Sequence, residues 1–146
     1  MKSNQKITRV QLKISHDNEF IMIGLVSTEP DYKLSLNINK KINISLRNST
    51  PVKVSYDDEN ELFFSRFSDQ SRNPEVVFSL YSNRSSSYFL LKKLRNVDYI
   101  FLIHNPEKSV EPEELIVKLK EIETINAVFH IDLNIFKDKN LQYLIQ

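Results

Sequence analysis

The chain has 146 residues, of which 40% are hydrophobic and 27% charged, as is typical of one soluble globular domain. It has no Cys and one Gly, which excludes disulfides, thiolate chemistry, cysteine-ligated metals and the glycine-rich loops of Walker and dinucleotide-binding motifs. The formal net charge of +1 gives little support to a nucleic-acid-binding domain as a whole.

The start of the chain is basic, with Lys2, Lys6, Arg9 and Lys13. A signal peptide or a membrane anchor would need a long apolar stretch after these charges, and none follows. We therefore expect a cytoplasmic protein without a membrane partner.

Two strands are predicted near the start of the chain. Apolar and polar residues alternate over residues 10–14, the period of a strand with one buried face. Residues 20–26 are continuously apolar, as in a central strand covered on both faces. Because turn residues separate the two segments, we expect them to form a hairpin.

A helix is predicted over residues 30–41. Pro30 and Asp31 follow two hydroxyl residues and suit the first turn of a helix. The apolar residues from 34 to 46 fit both a helical period and the period of two of a strand. The helix-start residues before them decide in favour of a helix. A strand through Ile42, Ile44 and Leu46 is expected to follow, and then a polar connection over residues 51–60.

The middle of the chain is rich in aromatic and β-branched residues. Residues 62–67 and 76–81 flank a group of turn residues and predict a second hairpin. Residues 83–87 predict a mobile loop, and residues 88–91 another strand.

The last third of the chain alternates strand and helix signals. A strand is expected over residues 97–103, and Pro112 opens the clearest helix, with Leu115, Leu119 and Ile122 on one face. Residues 127–131 predict the last strand, and residues 141–145 an apolar tail that docks on the body. The whole chain, residues 1–146, thus predicts a single α+β domain, with a mostly antiparallel or mixed β-sheet and two main helices packed on one face.

The segment 91–99, LKKLRNVDY, resembles the bacterial family named for its IPExxxVDY signature. Val97, Asp98 and Tyr99 match the end of the signature, whereas Leu91, Lys92 and Lys93 stand where the family has Ile, Pro and Glu. The resemblance implies a one-domain protein of the Bacteroidetes type with no assigned activity. Family members are often encoded near ribonuclease III, acyl carrier protein or pyruvate kinase, which suggests partners to test.

A structural role is expected for this motif. Asp98 starts an apolar strand and can accept hydrogen bonds from a neighbouring turn, while Tyr99 buries its ring and keeps its hydroxyl paired. A metal site is a weaker hypothesis: if the strands that end at His104 and His130 are neighbours, these two imidazoles and Asp132 can converge on a divalent ion. No cofactor is expected and no catalytic residue is assigned, because the acids of the late helix are explained by a solvated face.

The strongest functional signal is a basic stretch without acids from residue 33 to residue 53. Its cations are Lys33, Lys40, Lys41, Arg47 and Lys53. A solvated face is the ordinary explanation, but such a stretch can also form a patch for RNA, phosphate or an acidic protein. Exposed aromatic residues among 63–81 would add stacking surfaces, although at strand spacing they are more often core residues.

Three functions follow from these patterns. The leading one is a non-enzymatic interaction or adaptor domain that binds another cytoplasmic protein. The second is an RNA-binding accessory protein that uses residues 33–53. The third is a small metal-dependent enzyme. The sequence does not define the oligomeric state.

Overall fold

The computed structural model describes residues 19–57 and 59–145, which form an antiparallel six-stranded sheet with helices on one face. The strands are β1 (Phe20–Val26), β2 (Arg47–Ser55), β3 (Glu61–Asp69), β4 (Val77–Ser82), β5 (Arg84–Ser85), β6 (Tyr88–Phe89), β7 (Tyr99–His104) and β8 (Ala127–Ile131). The helices are α1 (Asp31–Ile42) and α2 (Pro112–Lys120), with 3₁₀ turns at Lys92–Leu94 and Lys139–Tyr143. The main sheet has the order β2-β3-β4-β7-β1-β8, and β5 pairs with β6 separately. The predicted α+β arrangement is confirmed.

Strand β1 lies inside the sheet and is covered on both faces, as its continuous apolar sequence predicts. It pairs antiparallel with β7 on one edge and with β8 on the other. The predicted partner over residues 10–14 lies outside the described residues. Both edges of β1 are occupied by strands from later in the chain.

The sheet separates two apolar cores because side chains alternate between the faces of a strand. On the helix face, Ile23 and Leu25 of β1 pack with Leu34 and Ile38 of α1 and with α2. On the opposite face, which we call the tail face, Met22 packs with residues of segment 90–97 and of the C-terminal segment 133–145. The apolar tail therefore docks on the body, as predicted.

Helix α1 continues one residue further than predicted. Asn43 takes a left-handed conformation with φ 57°, and the amide of Ile44 donates to the carbonyl of Asn39, which closes the helix. The expected strand through Ile42, Ile44 and Leu46 is wrong. Ile44 and Leu46 are buried in a connection between α1 and β2. The amide of Leu46 donates to Asn39 Oδ1 at 2.7 Å, and Asn39 Nδ2 donates to the carbonyl of Leu46 at 3.1 Å.

Strand β2 occupies part of the stretch that predicts a polar connection. It contains Pro51, which cannot donate a ladder hydrogen bond and argues against a central strand. The structure accommodates this proline because β2 is an edge strand and its register with β3 shifts between Ser49 and Val52. Val52 and Val54 alternate inward and bury their side chains.

The remaining predicted elements are present with small changes in their bounds. The hairpin of β3 and β4, the strands β7 and β8, and the helix that opens at Pro112 are confirmed. Residues 83–91 differ from the prediction. They hold a hairpin of two-residue strands, β5 and β6, where the sequence predicts a loop followed by one longer strand.

Candidate functional site

The VDY motif holds β7 to the turn between β1 and α1. The Asp98 carboxylate accepts a hydrogen bond from the Ser27 amide at 2.9 Å and from Arg84 Nε at 2.8 Å. The Tyr99 hydroxyl donates to the carbonyl of Glu29 at 2.5 Å, and its ring is buried. The contacts of Asp98 and Tyr99 are those expected for a structural motif.

Asn83 lies beside this motif and is fully buried. Its side-chain amide donates to the carbonyls of Leu94 and Val97 at 2.8 and 2.9 Å, and its side-chain oxygen accepts from the amide of Leu91 at 2.8 Å. Its own amide donates to the carbonyl of Asp98. Asn83 therefore fixes the path of segment 91–98, a role that sequence reasoning missed because Asn usually indicates a turn.

Burial raises the pKa of Tyr99 to about 12, and the negative charges of Asp31, Asp98 and Glu29 act in the same direction. A tyrosine whose pKa is higher in the folded state stabilises the fold fully below about pH 10, and this contribution is lost as the pH rises through about 12. We expect the stability difference between the wild type and Tyr99→Phe to shrink over this range in urea unfolding. The exposed Tyr56→Phe serves as the control, and a difference that does not change with pH would contradict the expectation.

The residues of the metal hypothesis do not come together. β1 lies between β7 and β8, so the strands of His104 and His130 are not neighbours. His130 lies opposite Ile23, whose side chain packs on the helix face. His104 lies two residues after Leu102, so its side chain is on the tail face. His104 instead contacts Glu19 at 3.3 Å, and the Asp132 carboxylate accepts from the amide of Asn134 at 2.9 Å. The condition on which the hypothesis depended is therefore not met.

The basic stretch is divided between two elements and partly neutralised. Lys33, Lys40 and Lys41 lie on α1, whereas Arg47 and Lys53 lie on β2. Two acids from outside the stretch approach it: Lys41 Nζ is 3.2 Å from Glu121, and Lys53 Nζ is 3.0 Å from Glu61 on the next strand. Arg47 Nε contacts Ser45 Oγ at 3.4 Å. Among the described residues, Lys33 and Lys40 have no acidic partner.

These two lysines flank an exposed apolar stripe on α1. Tyr32 is 54% exposed and Leu36 is 55% exposed. Residues 32, 36 and 40 follow one another at the i, i+4 spacing, and residue 33 lies beside them on the same side of the helix. We call Tyr32, Lys33, Leu36 and Lys40 the α1 stripe. A shallow groove of about 370 Å³, lined by Lys40, Lys41 and residues 122–124, adjoins it.

The aromatic residues of β3 and β4 belong mostly to the core. Phe64, Phe67, Phe78 and Tyr81 are buried, as expected at strand spacing, whereas Phe63 is exposed. Of these five residues, Phe63 alone is available for a base to stack on.

Comparisons with protein-family models, with curated proteins and with solved structures find no match in any of the three. The resemblance to the IPExxxVDY family therefore stays a prediction. Within the described residues, no helix is long and apolar enough to cross a membrane.

Proposed function

We propose that the protein is a non-enzymatic, cytoplasmic interaction domain whose α1 stripe binds an acidic segment of a partner protein. The observation that carries this proposal is the combination of two large apolar side chains, each more than half exposed, with two lysines that lack an acidic partner among the described residues. Large apolar side chains provide the buried centre of an interface, and unpaired charges at its rim select a partner of opposite sign.

The position of the stripe supports this proposal. Leu34 and Ile38 hold the opposite side of α1 in the core, so the helix presents the stripe from a rigid support. The adjoining groove extends the surface beyond the helix. An amphipathic partner helix with acidic flanks fits such a surface, because a helix bound in a groove makes its main contacts through apolar residues at i and i+4 spacing.

RNA is favoured less as the partner. Two of the five cations that suggest it are paired with Glu121 and Glu61, and four of the five nearby aromatic residues are buried. A nucleic-acid surface needs several free cations to neutralise successive phosphates.

Affinity purification from native lysate with quantitative mass spectrometry tests the proposal. Wild-type protein is compared with Leu36→Asp and with the double variant Lys33→Glu, Lys40→Glu, with and without nuclease. We expect one or more acidic proteins to be recovered by the wild type, to fall about tenfold with either variant, and to be released by added salt. Nuclease treatment is expected to leave this recovery unchanged.

The matched control is the double variant Lys118→Glu, Lys120→Glu. Both lysines are exposed at the end of α2, so the same number of charges is reversed on the neighbouring helix. Equal recovery by the wild type and the α1 variants would overturn the proposal. Recovery that depends on RNA would favour the nucleic-acid function instead.

A further inference from the structure

A second surface feature lies on the tail face, away from α1. It is a cavity of about 270 Å³ between the sheet and the C-terminal segment. Its apolar lining includes Leu102 of β7 and Leu144 of the tail, and its polar lining includes Arg66, Ser79 and Tyr81. Gln70 and His104 complete the polar lining, so half of the ten lining residues can bind a polar group and half can pack against an apolar one.

Two hydroxyls face this cavity without a partner from the described residues. They belong to Tyr81, which is 3% exposed, and to Ser79, which is 8% exposed. Neither oxygen is fully enclosed by the protein, so water in the cavity or a ligand can pair with it. The cavity therefore offers two hydrogen-bonding groups that no other described residue uses.

Arg66 adds a positive charge to the same cavity. It lies directly across from Tyr81 in the pairing of β3 with β4. Its Nη2 donates to Ser49 Oγ at 3.0 Å, while its buried Nε has no hydrogen-bond partner among the described residues. No carboxylate of these residues forms an ion pair with Arg66 either. Glu19, the one described acid that forms an ion pair with a lining residue, is 3.3 Å from His104.

We propose that this cavity binds a small organic anion. The carboxylate of the ligand accepts hydrogen bonds from Tyr81 and Ser79 and is attracted by the guanidinium of Arg66, while its apolar body packs against Leu102 and Leu144. The volume corresponds to about nine water molecules and suits a ligand of roughly ten non-hydrogen atoms. This site is on the opposite face of the sheet from the α1 stripe and does not depend on the proposed interaction.

Titration of the full chain with hexanoate, followed by NMR, tests this proposal. Hexanoate has one carboxylate and a short apolar body, and hexanamide is the matched neutral probe. We expect the signals of Tyr81 and Leu102 to shift in a saturable manner, with a Kd of about 1 mM or tighter for hexanoate and at least tenfold weaker binding of hexanamide.

Three variants connect the binding to the named groups. Arg66→Gln and Tyr81→Phe are each expected to weaken hexanoate binding about tenfold or more, because the first removes the positive charge and the second removes a hydrogen-bond donor to the carboxylate. Arg95→Gln removes one positive charge from an exposed residue that does not line the cavity, and it is expected to bind normally. Tyr81→Phe is also expected to fold at least as stably as the wild type, because its hydroxyl makes no hydrogen bond with any other described residue.

The outcomes that would overturn the proposal are equally specific. Shifts that do not saturate would show that the cavity holds no ligand of this kind, whereas equal affinity for hexanoate and hexanamide, or unchanged binding by Arg66→Gln, would show that it is not an anion site. A loss of stability in Tyr81→Phe would show that its hydroxyl is used within the fold. None of these results would affect the proposal for the α1 stripe, which is tested by separate variants.

Discussion

Replacing Asn83 with Ala is expected to lower the free energy of unfolding by about 3 kcal/mol, the largest effect of any single change considered. The Asn83 side chain pairs two carbonyls and one amide of segment 91–97, and the residue is fully buried. Alanine leaves the carbonyl of Val97 and the amide of Leu91 unpaired in a buried place, while the carbonyl of Leu94 keeps a hydrogen bond from the amide of Val97. An unsatisfied buried group costs about 1–3 kcal/mol, and partial relaxation of the loop keeps the total below the sum.

Urea unfolding of Asn83→Ala and Asn83→Asp measures this effect. Aspartate keeps the acceptor for Leu91 but turns a negative charge toward the carbonyls of Leu94 and Val97, so a comparable loss is expected near neutral pH. Asn96→Ala, at an exposed position of the same segment, is the control and is expected to change little. Stability of Asn83→Ala within about 0.5 kcal/mol of the wild type would contradict the role assigned to this residue.

Replacing Gly24 with Ala is expected to cost about 1–3 kcal/mol, although alanine normally favours folding over glycine. A Cβ at Gly24 would lie 2.8 Å from Val97 Cγ2 and 3.2 Å from Val97 Cγ1. The valine cannot turn both methyl groups away, because its side chain is branched at Cβ and buried. The single glycine of the chain is thus explained by the close packing of Val97 over β1.

The double variant Gly24→Ala, Val97→Ala tests this explanation. Removing both methyl groups leaves Val97 Cβ as the nearest atom, at 3.6 Å, which is an ordinary contact. Val97→Ala alone leaves a small cavity and is expected to destabilise the protein. Because the new methyl group fills part of that space, the double variant is expected to be more stable than the sum of the single changes predicts. Strictly additive losses in thermal unfolding would show that Gly24 and Val97 do not act on each other.

Elements with strong local signals could be predicted from the sequence. Pro112 at the start of α2 and the continuous apolar run of β1 each define their element without reference to distant residues. Pro51 shows where this approach fails. A proline is compatible with a strand only at an edge or a bulge, and the position of β2 at the sheet edge depends on pairings made by the whole chain.

The candidate sites show the same limit. The basic residues of α1 could be found from the sequence, but the acids that neutralise Lys41 and Lys53 come from other elements. A site of His104 and His130 depends on the order of the strands, which local sequence patterns do not define. The cavity at Arg66 and Tyr81 combines residues of β3 and β4 with the tail, so no local motif indicates it.

The pairing of β1 also determines when the protein can fold during synthesis. Ser27, at the end of this strand, bonds to Asp98, 71 residues later, and to Thr124, 97 residues later. Both edges of β1 stay unpaired until β7 and then β8 leave the ribosome. Domains built from such distant contacts fold slowly, and a nascent chain that stops before β8 exposes an apolar strand edge prone to aggregation.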